Sequence, residues 1–199
     1  MFTIDRRPTC ADGTREMTRD ELKEYLGEHV QYEFSMLQVC AASLHQFNPE
    51  LIAQFGIAVH GQIHGADYAQ AVKNVWTEGF VVHLRNAIDF FYERDSQHKP
   101  KKDDVVADHF YPGMKRPKNF PPISESLRRA RVRSDKELAH LTSGRQSRGA
   151  PGKPWAFMQL LTEIGDLLAT FKKLCDPELL NSRMAGLKLL NSTEYTGDR

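Results

Sequence analysis

Apolar residues recur along most of this chain at intervals of three and four, and no stretch shows period-2 alternation bounded by hairpin turns. Leu22, Leu26, Val30, Phe34, Leu37, Cys40 and Leu44 predict a long amphipathic helix over 18–45. A capping box opens it, T-R-D-E from Thr18, with Glu21 able to reach back to the cap nitrogen. Gly27 inside this helix is expected to weaken it slightly. Asn48-Pro49 reads as a cap followed by proline at the first helical position, and predicts a short helix to about Val59. Tyr68, Val72, Val75, Trp76, Phe80, Leu84, Ile88 and Phe91 predict a central buried helix over 66–93.

A polar stretch follows over 94–122, with five prolines and the cations Lys99, Lys101, Lys102, Lys115, Arg116 and Lys118. A loop this long is expected to be disordered or functional. Phe110 and Tyr111 are expected to pin its middle to the body, and a nucleic-acid guide combining cations with aromatic faces is the other reading. Ser124 or a neighbour starts the next helix, over 124–142, with Ile123, Leu127, Ala130, Leu138 and Leu141 on its apolar side and Gly144 as C-cap. A Gly/Ser/Arg loop leads to Pro154, which is expected to open a helix over 154–175 on Phe157, Leu160, Leu161, Ile164, Leu167, Leu168, Phe171 and Leu174. Asp176-Pro177 is expected to cap a final helix to about Leu190. The expected fold is therefore all-α, an up-and-down bundle of four or five main helices in a single domain over 1–199. Residues 1–16 form a loose N-terminal arm and 191–199 a loose tail in this reading.

Composition is that of a globular protein of 199 residues, 40% hydrophobic and 27% charged. No run approaches 18 apolar residues and the N-terminus has no apolar signal core, so neither a membrane span nor a signal peptide is expected. Cys10, Cys40 and Cys175 are odd in number and far apart, which suits neither a disulfide framework nor a zinc cluster and points to the reducing cytoplasm. Net charge is only +1, but the window 128–153 holds six arginines and two lysines against Asp135 and Glu137, a local excess of six positive charges. Such a window suits a polyanion, with Arg131, Lys136 and Arg145 as the expected nucleic-acid contacts. A solvated basic face is the simpler reading.

Within that window Arg133 and His140 are seven positions apart, which on a helix ends about 20° short of two turns. They share one face, with Glu137 between them. Arginine's planar fork suits phosphate oxygens, and a histidine moves protons near neutral pH. The alternative is an exposed Arg133–Glu137 ion pair with a solvated His140. Arg85 and Asn86 form a polar doublet inside the apolar central helix. They either brace Glu137 or His140, or, for Arg85, form an ion pair with Asp89 four residues on. His60 and His64 share a helical spacing, but Gly61 and Gly65 and the lack of a completing carboxylate argue against a metal site. Glu137-Leu-Ala-His140 matches E-x-x-H, yet a di-iron bundle needs two copies and further carboxylates. No phosphate loop, G-x-S-x-G or H-E-x-x-H is present.

Arg133, six residues, then His140 on a late helix resembles the R-x4–6-H motif of the HEPN superfamily. The surrounding K-E-L-A-H-L-T-S-G-R and the earlier H-L-R-N-A-I-D-F-F-Y resemble bacterial HEPN-like proteins related to abortive-infection factors. The resemblance spans 84–155. It implies a metal-independent endoribonuclease of phage defence or a toxin–antitoxin-like system, working as a homodimer on RNA without a cofactor, with a cognate antitoxin or partner protein. Arg133 and His140 are then the catalytic residues, with Arg85, Asn86 and Glu137 in support. Arg85 is followed by the polar residue the family motif favours, but no histidine lies four to seven positions beyond it, so it is not the motif arginine. The resemblance equally admits a non-catalytic module that binds RNA, a nucleotide or a protein in the same groove, and a scaffold that only dimerises.

Overall fold

The computed structural model describes residues 17–60, 65–92, 104–138 and 155–189, the side chains of 56–60 and 136–138 apart. These residues form an all-helical bundle, with no strand among them. The helices are α1 (Arg19–Tyr25), α2 (Gln31–His45), α3 (Pro49–His60), α4 (Gly65–Tyr92), α5 (Glu125–Leu138), α6 (Phe157–Leu174) and α7 (Ser182–Gly186). A π-helical turn, Leu26–Val30, joins α1 to α2 without a break in direction. Helices α2, α4, α5 and α6 make the bundle, each antiparallel to the one before. Cys40 lies against Gly79 while Glu33 bonds Asn86, Asp89 meets Arg131 while Arg85 meets Asp135, and Ser126 bonds Glu163 while Arg133 reaches Trp155. Helix α3 packs on α4.

The N-terminal capping box forms as its sequence dictates. Glu21 N–H donates to the Thr18 hydroxyl at 3.2 Å and the Thr18 amide donates to the Glu21 carboxylate at 2.8 Å. Asn48 Oδ1 accepts from Leu51 N–H at 3.0 Å and caps α3. Ser124 does the same for α5, accepting from Leu127 N–H at 3.2 Å.

The core sits on α4. Phe80, Leu84, Ile88 and Phe91 are fully buried, and Phe90 and Phe91 join Phe34, Phe110 and Phe171 in one cluster of tilted and edge-on rings. Ring pairs of this kind contribute about 0.5–1.5 kcal/mol beyond their buried area. Phe110 and Tyr111 are buried here, so they do pin the proline-rich segment. Arg116 is part of that anchor. Its Nη2 donates to the Phe91 carbonyl at 2.5 Å, near the C-terminus of α4, and its Nε lies 3.3 Å from Asp108. The guanidinium lies over Tyr92 and Phe120. An arginine committed to a helix-end carbonyl and two rings holds the segment down, which runs against a strand-guiding role for this cation. Residues 94–103 of the segment lie outside the described residues, as do the expected arm (1–16) and tail (191–199).

Two sequence expectations change. The final helix is confined to Ser182–Gly186, not 177–190. Asp176 instead turns the chain, accepting from Glu178 N–H at 3.0 Å while Arg19 Nη2 donates to its other oxygen at 2.8 Å. That pairing, followed by the Glu178 amide bond, holds the Asp176 carboxyl below its ordinary range. Helix α6 starts at Phe157, so the expected opening at Pro154 is displaced by three residues. Gly27, expected only to weaken its helix, has a positive role. A Cβ at this position would sit 1.7 Å from Asn181 Nδ2. Asn181 is fixed there because Nδ2 donates to the Lys23 carbonyl at 2.8 Å, while Oδ1 caps α7 from Met184 N–H at 2.9 Å. The side chain thus ties the first helical segment to the last.

Gly27→Ala should displace Asn181 and lower stability by about 1–3 kcal/mol, the usual cost of overpacking. Asn181→Ala should cost a similar amount through its two lost bonds. Because both changes break the same contact, the double variant should be clearly less destabilised than the sum of the singles. Urea denaturation of the four proteins measures this, and simple additivity would mean the two residues act separately.

Candidate functional site

Helix α5 presents its residues to two neighbours, α4 on one side and α6 on the other. Toward α4 the contact is a reciprocal ion-pair quartet. Arg131 Nε lies 2.5 Å from Asp89 Oδ1, and Arg85 Nε lies 3.1 Å from Asp135 Oδ1 and 3.6 Å from Asp89 Oδ2. Asp135 Oδ1 is buried and accepts no hydrogen bond from the described residues, so its contact with Arg85 is an ion pair and not a directed hydrogen bond. Each helix carries the same R-x-x-x-D spacing, Arg85–Asp89 and Arg131–Asp135. Running antiparallel, the two copies match arginine to aspartate twice. Asp89 receives both arginines and is the hub.

Toward α6 the contact is a carboxylate bound by hydroxyls. Ser124 and Ser126 both donate to Glu163 at 2.5 Å, and Gln159 adds a bond at 3.0 Å. Burial by itself would raise the Glu163 carboxyl, but these three donors together hold it below its ordinary value. At the other end of the same interface, the Arg133 guanidinium carbon stands 4.0 Å from the centre of the Trp155 ring. This is a cation–π contact at the close end of the range.

The residues singled out by sequence divide accordingly. Arg133 is half-buried on α5 against Trp155. Arg85 does face α5, through Asp135, and it makes the i,i+4 ion pair with Asp89 that the sequence offered as the alternative, while the bracing partners Glu137 and His140 lie outside the described side chains. Asn86 points the other way, donating to Glu33 of α2 at 2.9 Å beside His83, whose Nδ1 is 2.7 Å from the same oxygen. Its expected place facing the stripe is therefore corrected, because a one-residue step on a helix turns the side chain by about 100°. Arg131, expected to contact nucleic acid, pairs with Asp89 and is largely buried. Lys136 and Glu137 lie in the last turn of α5 with their side chains outside the described set, and His140, Arg145 and His64 lie outside the described residues altogether. Trp155 had no sequence signal as a partner of Arg133. The quartet did have one, the repeated R-x-x-x-D spacing.

Among the described residues no group of three or more His, Cys, Asp or Glu side chains is placed to hold a metal ion. Cys40 and Cys175 are buried and free of disulfides, and burial together with the charge of Asp176 pushes the Cys175 thiol up to about 12, far from a nucleophilic thiolate. No described helix is long and apolar enough to cross a membrane. The chain matches no family model, no curated protein and no solved structure.

The two arginines of the quartet should differ. Arg85 and Asp135 are each about 40% exposed at the side chain, so Arg85→Ala should cost about 1 kcal/mol or less. Arg131 and Asp89 are only 20% and 24% exposed, and Arg131→Ala should cost more, about 1.5–3 kcal/mol. Equal midpoints in urea would mean that burial does not set the strength of these pairs. Glu163 supplies a pH test. Its folded-state value is depressed, so its contribution is complete above the ordinary carboxylate range and fades as pH falls through the folded value. Melting temperature plotted against pH should therefore drop on acidification less steeply in Glu163→Gln than in the parent.

Proposed function

We propose that this protein is a metal-independent endoribonuclease of HEPN type, acting in phage defence or a toxin–antitoxin-like system in the cytoplasm. The observation that supports the reading is the seating of Arg133 on Trp155 at 4.0 Å, which holds a permanent cation in place on α5. In this reading Arg133 holds the scissile phosphate and offsets its developing charge. The ribose 2′-oxygen attacks phosphorus, the bond to the 5′-oxygen breaks, and the products are a 2′,3′-cyclic phosphate and a 5′-hydroxyl. The proton lost by the 2′-hydroxyl goes to a base and the departing 5′-oxygen takes one from an acid. His140 serves one of these roles. Glu137 lies between the two in sequence, a third charge that tempers phosphate affinity. A homodimer bringing two α5 helices together would give a paired site, with a cognate antitoxin or partner protein to restrain it.

One observation favours a second reading, a non-catalytic module that binds RNA or a nucleotide. Arg85 and Arg131, the cations on the α4 side of α5, are each matched by an aspartate, which lowers the positive field available for turnover on a polyanion.

Labelled RNA incubated in EDTA separates the two. Under the nuclease reading cleavage persists, and His140→Ala lowers the rate by about 10²–10⁴. Arg133→Ala should match it, and Arg133→Lys should rescue poorly, because a point charge does not replace the fork. Trp155→Ala should also lower the rate while the protein stays folded, since it frees the guanidinium to leave its alignment. RNA retarded on a gel without EDTA-resistant cleavage would instead establish the binding module.

A further inference from the structure

We infer that Arg129, with Arg128 beside it, holds the phosphate next to the scissile one, so that the substrate is a single-stranded RNA continuing past the cleavage point along the outer face of α5. This rests on the nuclease reading and extends it from one phosphate to a strand. Arg129 and Arg133 are four positions apart on α5, which places them about 6 Å apart along its axis and about 40° apart around it. That step is close to the distance between neighbouring phosphates of an extended strand, and phosphate contacts of this kind set the register of a bound nucleic acid.

Three observations carry it. The first is exposure. The side chains of Arg129 and Arg128 are 79% and 57% exposed, whereas Arg131 and Arg85 are committed to Asp89 and Asp135 in the α4 seam. The second is the balance of charge. One carboxylate, Glu125, serves both outer arginines, taking Arg129 Nε and Arg128 Nη1 at 2.8 Å each. Glu163 of α6 is a second carboxylate beside this face, bound by Ser124, Ser126 and Gln159. Arg128, Arg129 and Arg133 against Glu125 and Glu163 leave one positive charge in excess, the sign a polyanion needs. The third is the donor inventory. Arg129 meets Glu125 through Nε alone, so neither of its Nη groups has an acceptor among the described residues. The guanidinium can keep that bond and still present its Nη edge to two phosphate oxygens. Glu125 is itself 58% exposed, so the existing pairs lie in water, where such contacts are weak and yield to a phosphate.

Fluorescence anisotropy with a labelled single-stranded RNA of about ten nucleotides tests the strand path, in EDTA and in the full chain carrying His140→Ala so that the RNA stays whole. Adding Arg129→Ala should weaken binding about five- to tenfold and make the salt dependence shallower by about 0.7 in log–log slope, the worth of one phosphate contact on a single strand. Arg128→Ala should act in the same direction. Glu125→Gln should tighten binding by about twofold or more. Its carboxyl is held below the ordinary range by Arg129 and then Arg128, so it is charged at neutral pH and competes with the phosphate. A dinucleotide, whose single phosphate is the scissile one, should bind with and without Arg129→Ala alike. RNA binding that Arg129→Ala leaves unchanged would overturn the proposal, as would a loss of equal size on the dinucleotide. Polyglutamate that displaces the RNA and depends on Arg129 to the same degree would make this a face for an acidic protein, and would overturn it too. EDTA-resistant cleavage by the parent chain separates the two levels. A chain that binds the strand through Arg129 without cleaving it loses the nuclease reading and keeps the strand path. Cleavage of the longer RNA that is indifferent to Arg129→Ala keeps the reading and loses the path.

Discussion

The burial of α4 is the constraint on which the rest of the molecule depends. Phe80, Val81, Leu84, Ala87, Ile88, Phe90 and Phe91 cover far more than one stripe of its surface. A helix apolar over so much of its circumference has to be surrounded. Helices α2, α3, α5 and α6 all pack against it, and the pinned segment around Phe110 and Tyr111 closes its C-terminal end. The Arg116 bond to the Phe91 carbonyl belongs to this logic, because the last carbonyls of a helix need partners when water is kept out.

Around that buried axis, polar chemistry is confined to the seams. The α2–α4 seam carries Glu33, His83 and Asn86, the α4–α5 seam carries the quartet, and the α5–α6 seam carries Glu163 at one end and Arg133 with Trp155 at the other. Each seam fixes the register of one helix against the next, since an ion pair or a directed hydrogen bond is lost on a slip that apolar side chains would tolerate. Helix α5 is therefore held from both sides. That is the condition for a side chain near its C-terminal end to keep a set orientation, and Arg133 meets it.

The periodicity of apolar residues determined the helical class, the four bundle helices and most of their boundaries, because a 3.6-residue period is a local property that core burial simply uses. The capping residues Thr18, Asn48 and Ser124 were legible for the same reason, since a cap bonds within three residues of itself. What tertiary structure decided is each contact between residues distant in the chain. Asn86 bonds Glu33 across 53 residues and Arg131 pairs with Asp89 across 42. The repeated R-x-x-x-D spacing hinted at the second, but only antiparallel packing matched the copies. Gly27 read as a weak point until Asn181, far along the chain, occupied the space its missing Cβ leaves. The final helix failed for a related reason, as Arg19 stabilises the turn at Asp176 that the local apolar pattern does not encode. Arg133 was visible as a motif residue through its distance from His140, a matter of spacing alone. Its contact with Trp155 was not, because a helix face can be computed from sequence while the neighbour that covers it depends on how the whole bundle closes.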